Sequence, residues 1–222
     1  MTDAWHARLT LPAYQAREAA HLAGISPQTV SGWFYGYPKS PGARSRPVFP
    51  KGKRRRVSLS YLQLVEVAFV ATCRKNGMSL RRIKDTRAYL AAAFGVDYPF
   101  ADLRLASTGP SVLKEMENSD QLLVASAHGQ IAWRAFMSQR IAEFDYEGDL
   151  AARWFPRGRN VPIFVDPRIN FGRPMLAKSG MATWVIADAL RAAESEDDVM
   201  LDYGIGRDEI GYVLEFEPRR AA

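Results

Sequence analysis

Four residues, Gly24-Ile25-Ser26-Pro27, leave the first third of the chain little choice of fold. A glycine after a helical stripe is a C′ residue, and Ser-Pro is an N-cap followed by a first helical position. One helix must therefore stop and another start within a single short turn. Upstream, QAREAAHLA over Gln15–Ala23 places Ala16, Ala19, Ala20 and Ala23 at i, i+3, i+4 and i+7. Side chains that small let another helix come close. Downstream, Val30, Trp33, Phe34 and Tyr37 form one face, so Trp33 is expected in the core. Gln28, Ser31, Gly32 and Tyr35 form the opposite, small or hydrogen-bonding face. Two short helices with a Gly-containing turn make a helix-turn-helix, whose second member normally enters the major groove.

The next segment, RSRPVFPKGKRRRVSLS from Arg44 to Ser60, carries a strong cationic charge. Arg44, Arg46, Lys51, Lys53, Arg54, Arg55 and Arg56 are seven bases in thirteen residues, with no acid among them. Its prolines exclude a helix, and it reads as a two-stranded ribbon, or wing, around Pro50-Lys51-Gly52. A solvated loop would account for the charge alone but not for its place, where a wing meets a phosphate backbone. Neutralising phosphates releases counterions, with a salt slope of about −0.9 per contact. Such contacts position a protein on DNA; base edges are read by others. The candidates for reading are Gln28, Ser31 and Tyr35, with Thr29 beside them. Gln28 has the geometry for a bidentate pair with adenine.

The net charge of +6 over 222 residues conceals a division. Residues 1–99 hold 16 Lys/Arg against 5 Asp/Glu, and residues 100–222 hold 14 against 19. A basic front and an acidic rear imply two surfaces with different partners. Cys73, the only cysteine, sits in an apolar run and is expected to be buried core, with no disulfide framework. MTDAWHARLTLPAYQ is not a signal peptide, and no window is apolar enough to span a bilayer. A cytoplasmic protein without membrane contact is expected. His6, His21 and His128 lie far apart with no zinc-ligand spacing, and no phosphate loop or nucleophile elbow occurs. His21 reads as a surface or interhelical residue. The acids from Glu194 to Asp198 suit the start of a helix through its dipole. The expectation is no metal, no cofactor and no enzymatic activity.

Ser60 caps a long apolar helix, YLQLVEVAFVATCRKN, which Gly77 stops. Ser79 caps another, with Leu80, Ile83, Leu90 and Phe94 inward, stopped by Gly95. From Tyr98 the pattern turns to strands: FADLRLA, SVLKEME and QLLVASA as an antiparallel meander, a helix IAWRAFMSQRI, then IAEFDYE, AARWFP and VPIFVDP. The end is helical again, with TWVIADALRAAE, EDDVMLDYG behind an N-cap at Ser195 with Asp198 three residues on, and RDEIGYVLEFE. The expected fold class is α+β. It comprises a DNA-binding head (1–97), a strand-rich middle with one helix (98–160) and a small helical, helix-turn-helix-like domain (161–222).

Two resemblances sharpen this reading. The order helix, turn, helix, basic wing, then VSLSYLQLVEVAFVATCRKNGMSLRRI with its phrase Gly77-Met78-Ser79-Leu80-Arg81-Arg82-Ile83, resembles the MerR-type winged helix-turn-helix over residues 14 to about 94. Ser31-Gly32-Trp33 stands where that family commonly has Arg-Tyr-Tyr, so the bases read are this chain's own matter. Farther on, Asp166-Pro167, Ile169, Gly172 and Pro174, followed by Ile186-Ala187-Asp188, Asp202-Tyr203-Gly204-Ile205 and Asp208-Glu209-Ile210, resemble the four-three-three family of domains of unknown function. Lys178-Ser179-Gly180-Met181 replaces that family's usual Gly-Thr-Arg-Ile phrase.

Together these resemblances imply a VapB-like antitoxin. Such a protein would be a homodimer that binds operator DNA, represses its own operon and neutralises a PIN-domain ribonuclease toxin. They also imply that Arg219 and Arg220, on the tail, reach the toxin's acidic metal site. Residues 191–217 hold nine acids and two arginines, a surface that repels phosphates and suits partner docking or dimer formation. The alternative is a MerR-like regulator with a small-molecule-sensing middle and no toxin.

Overall fold

The computed structural model describes residues 3–49, 58–102, 142–148, 150–192 and 195–217. The class is mixed helix and strand, with small two-stranded sheets. Two compact units emerge: Met1–Ile141 with Tyr146–Ala151, and Ala142–Asp145 with Ala152–Ala222.

In the first unit α1 (Asp3–Thr10) precedes a two-residue strand β1 (Tyr14–Gln15). β1 pairs antiparallel with β4 (Ser58–Leu59), Tyr14 opposite Leu59. Helices α2 (Ala16–Ala23) and α3 (Pro27–Tyr35) are joined by the turn read from the sequence. Gly24 adopts φ 66° as the C-cap of α2, and Ser26 Oγ accepts the Thr29 N–H at 3.1 Å. Ala19 and Ala20 are buried, which lets α2 pack tightly between α3 and α4 (Tyr61–Lys75). α4 is the central helix, buried on nearly every side from Tyr61 to Cys73. Ser60 and Gln63 cap it reciprocally, at 3.3 and 2.9 Å. α5 (Leu80–Phe94) follows Ser79, whose hydroxyl accepts the Arg82 N–H at 3.3 Å, and ends at Gly95. Trp33 and Cys73 are both core, as expected.

β2 (Pro38–Ser40) pairs with β3 (Ala43–Arg44) as a ribbon turning at Pro41-Gly42. The expected ribbon turn at Pro50-Lys51-Gly52 lies outside the described residues. Two expectations need correction. Val48 and Phe49, assigned to the wing, are instead buried, their N–H groups donating to the Trp33 carbonyl at 2.8 and 3.2 Å. Phe49 packs 5.0 Å from the Phe34 ring, so the end of the ribbon is anchored by burial of apolar surface. Finally, Phe100 and Ala101, which begin the expected strand FADLRLA, lie in a 3₁₀ turn, Pro99–Ala101, and that strand's residues from Leu103 on lie outside the described residues. The other expected middle strands SVLKEME and QLLVASA, and helix IAWRAFMSQRI, lie outside the described residues.

A buried ion pair, not anticipated from sequence, ties this unit together. Arg87 donates to Glu66 Oε2 through Nε at 3.1 Å and Nη2 at 2.7 Å, and Glu66 Oε1 accepts the Phe100 N–H at 3.3 Å. Burial pushes the Glu66 carboxyl up from 4.5 to about 7, against the opposing pull of Arg87. An acid whose folded pKa is raised binds more protons folded than unfolded between those values. Its contribution is fully present below about pH 4.5 and is lost as pH rises through 7. Heating scans should therefore show the wild-type first unit losing stability from pH 5 to pH 8, by more than a Glu66→Gln variant does. An equal slope in both would contradict this assignment.

β5 (Phe144–Glu147) and β6 (Leu150–Trp154) form a two-stranded sheet. β7 (Ile163–Phe164) pairs antiparallel with β8 (Met175–Leu176). Phe155, Phe164, Met175 and Ala182 form a core cluster beneath α6 (Thr183–Ala192). α7 (Glu196–Tyr203) and α8 (Arg207–Phe216) pack against α6 through Val199, Ile210, Val213 and Phe216. Ser195 caps α7 by accepting the Asp198 N–H at 3.2 Å. Among the described residues no helix is long and apolar enough to cross a membrane.

Candidate nucleic-acid interface

α3 presents its polar side as the sequence requires. Gln28 is exposed, and Thr29, Ser31 and Tyr35 are half-buried. Thr29 is also engaged locally, its hydroxyl 2.9 Å from Ser26 Oγ. Tyr37, expected on the inner face, is 40% exposed. The reason is Gly36, which ends α3 at φ 74°, ψ 158°, a conformation essentially reserved for glycine. A Cβ there would also meet the Ser45 carbonyl oxygen at 1.9 Å. The reversal folds the Tyr37 ring back over Gly32, where an added Cβ would lie 2.5 Å from it. Gly32 is thus a cradle for an aromatic ring, on the same helical side as Gln28 and Tyr35.

The ribbon is tied to the end of α3. Tyr37 N–H donates to Ser45 Oγ at 2.9 Å, and Ser45 N–H donates to the Tyr37 carbonyl at 2.7 Å. Arg44 Nε donates to the Tyr35 and Gly36 carbonyls, each at 3.0 Å. Arg44 therefore caps the negative end of the helix dipole as well as contributing charge. Arg46 is exposed, and its carbonyl accepts from Lys84 Nζ on α5. Burial first, then the neighbouring Arg46 and Lys39 charges, hold the Lys84 amine below its ordinary range. Lys84 is thus joined to Arg46, and Lys39 lies on the ribbon that Arg44 ties to the end of α3. Neither Lys39 nor Lys84 stood out in sequence, because Lys84 is 38 residues from its ribbon partner. Of the expected residues, the structure brings together Gln28, Thr29, Ser31, Tyr35, Arg44 and Arg46. Lys51, Lys53, Arg54, Arg55, Arg56, Arg219 and Arg220 lie outside the described residues.

The second unit is built on carboxylates that organise backbone. Asp166, fully buried, accepts the Arg168 N–H at 2.9 Å and its guanidinium at 2.9 and 2.7 Å, with Arg153 at 3.4 Å. Burial raises this carboxyl, but the bonds from Arg168 outweigh it and set the group below its usual range. Glu209, also buried, accepts the Ser179 N–H at 3.1 Å and the Gly206 N–H at 3.4 Å. The Lys178–Met181 phrase is thereby fastened to the start of α8. Among the described residues no group of three His, Cys, Asp or Glu is placed to hold a metal ion.

The model of a family described as "Protein of unknown function (DUF433)" matches residues 163–216. Over 229 residues the chain is 23% identical to a protein of Mycobacterium tuberculosis (strain ATCC 25618 / H37Rv) named "Putative antitoxin VapB45", covering 94% of this chain and 95% of the relative. The crystal structure of Rv2018 from Mycobacterium tuberculosis aligns with a TM-score of 0.70 at 18% identity, over 93% of this chain and 99% of that one. The chain and that protein share a fold.

Proposed function

We propose that this chain is a DNA-binding antitoxin that represses its own operon and neutralises a PIN-domain ribonuclease toxin. Its head is a MerR-like winged helix-turn-helix, with α3 as the recognition helix. The observation that carries the reading is the cationic ribbon that Arg44 ties to the end of α3, with Lys39 and Arg46 exposed and Lys84 bonded to the Arg46 carbonyl. Same-sign charges gathered on and beside that ribbon cost self-repulsion, which a polyanion relieves. Arg44 locks the ribbon to α3, so phosphate contacts and base-reading residues share one rigid support. Similarity over nearly the whole chain to a relative named as an antitoxin supports the toxin-directed half of the reading. The acidic stretch 191–217 leaves that half to a protein partner, since it repels phosphates. The active species is a cytoplasmic homodimer on a palindromic operator.

Coexpression with the protein encoded in the adjacent reading frame provides the test. The expected result is a stable complex that retards the operon's own promoter DNA, with ribonuclease activity suppressed. Absence of a toxin-like neighbour, or a chain that purifies alone in its presence, contradicts the antitoxin reading.

A further inference from the structure

Gly32 lies inside α3, where glycine is destabilising relative to alanine because it loses more conformational freedom on folding. One neighbour stands against alanine there. The three atoms nearest an added Cβ all belong to Tyr37: Cε1 and Cζ at 2.5 Å and the hydroxyl oxygen at 2.9 Å. The bare backbone of Gly32 is what admits the far end of that ring.

The ring is aimed by its own backbone. Tyr37 stands between Gly36, whose φ of 74° and ψ of 158° turn the chain back, and Pro38, which restricts the residue before it to extended conformations. Both of its main-chain groups are held by Ser45, the N–H donating to Oγ at 2.9 Å and the carbonyl accepting the Ser45 N–H at 2.7 Å. Arg44 Nε bonds the Tyr35 and Gly36 carbonyls and so fixes the reversal itself. The side chain thus starts from a rigid support and ends on a helix. It is nevertheless no core residue: Val30, Trp33 and Phe34 of α3 are buried, whereas Tyr37 is 40% exposed. Packing alone would be served better by alanine at position 32 and no ring above it.

Gln28, Gly32 and Tyr35 follow the i, i+4, i+7 spacing of one helix side. The Tyr37 hydroxyl therefore stands in the middle of the polar side of α3, with Gln28 one turn before it and Tyr35 one turn after. A phenol both donates and accepts hydrogen bonds, and every base pair presents such partners in the major groove. We propose that Tyr37 reads a base edge there, standing in for the side chain that Gly32 lacks, with Gly32 as its positioning residue. This rests on α3 being the recognition helix of a DNA-binding head. A base edge is favoured over a phosphate because the hydroxyl sits at the centre of the helix side, while the exposed charges of Lys39 and Arg46 lie on and beside the ribbon.

The test measures binding of the full-length chain to the operon's own promoter DNA and to a shuffled duplex of equal length and composition. Tyr37→Phe keeps the ring and removes only the hydroxyl. It is expected to lower the ratio of the two affinities about tenfold, the loss falling on the promoter duplex. The slope of log K against log salt stays as in wild type, since no charge is removed. Gly32→Ala retains Tyr37 but forces its ring off the helix. It is expected to lower the ratio as far as Tyr37→Ala does, and the double variant no further. A wild-type ratio in Tyr37→Phe overturns the proposal. Equal losses on both duplexes, the mark of a phosphate contact, overturn it too, as do additive losses from Gly32→Ala and Tyr37→Ala. A wild-type chain that holds both duplexes equally also overturns it. A wild-type chain that binds neither duplex overturns the DNA-binding reading as well, so the two failures are distinguishable.

Discussion

Glu66→Leu is expected to lower the stability of the first unit by about 3–5 kcal/mol, the cost of stranding one member of a buried ion pair. Glu66 is 1% exposed in the middle of α4 and takes two of its hydrogen bonds from Arg87, itself only 7% exposed. Without the carboxylate the guanidinium keeps its charge, because arginine does not deprotonate in proteins. Its remaining support is the Asp97 carbonyl at 2.5 Å and the Phe49 ring at 5.6 Å. The Phe100 N–H also loses its acceptor. Replacing both partners, Glu66→Leu with Arg87→Met, is expected to recover most of the loss. Denaturant titration of the two variants measures this, and a single-variant loss below about 1 kcal/mol contradicts the account. The site depends on the same pair. Arg87 stacks on Phe49, and Phe49 is where the segment after the ribbon is buried beneath α3.

Punctuation was what the sequence revealed best. Gly24, Ser26-Pro27, Ser60, Ser79 and Ser195 each act through bonds to residues within a few positions, so their roles are written locally. The turn of Asp166-Pro167 through Pro174 was legible for the same reason, and the family model matched from residue 163 includes it. Contacts distant in sequence were not legible. Val48 and Phe49 sat among bases and prolines and looked like part of a wing. Only the carbonyl of Trp33 and the ring of Phe34 make them core. Glu66 drew no reading from the sequence, since its partner is 21 residues away. Tyr37 followed the helical spacing, but the helix had already ended at Gly36. Positive φ at Asn170 and Phe171 left no mark at all, because neither residue type demands it.

The second large effect concerns affinity. If the head holds a phosphate backbone through Lys39, Arg46 and Lys84, each contact releases counterions and steepens the dependence of binding on salt. Changing all three to alanine is expected to flatten the slope of log K against log salt by about 2.7, or 0.9 for each phosphate. Between 50 and 200 mM salt the wild type should then lose about fortyfold more affinity than the variant does. All three side chains lie outside the core, so the fold is expected to survive the change. Gln28→Ala, by contrast, is expected to weaken binding to some sequences more than others while leaving the slope unaltered.

The most direct measurement is therefore the salt dependence of duplex binding by the wild-type chain and by the Lys39→Ala, Arg46→Ala, Lys84→Ala variant, side by side. Two slopes separated by about 2.7 are the expected result. Two superimposable lines of equal affinity would mean that this cationic cluster does not meet DNA.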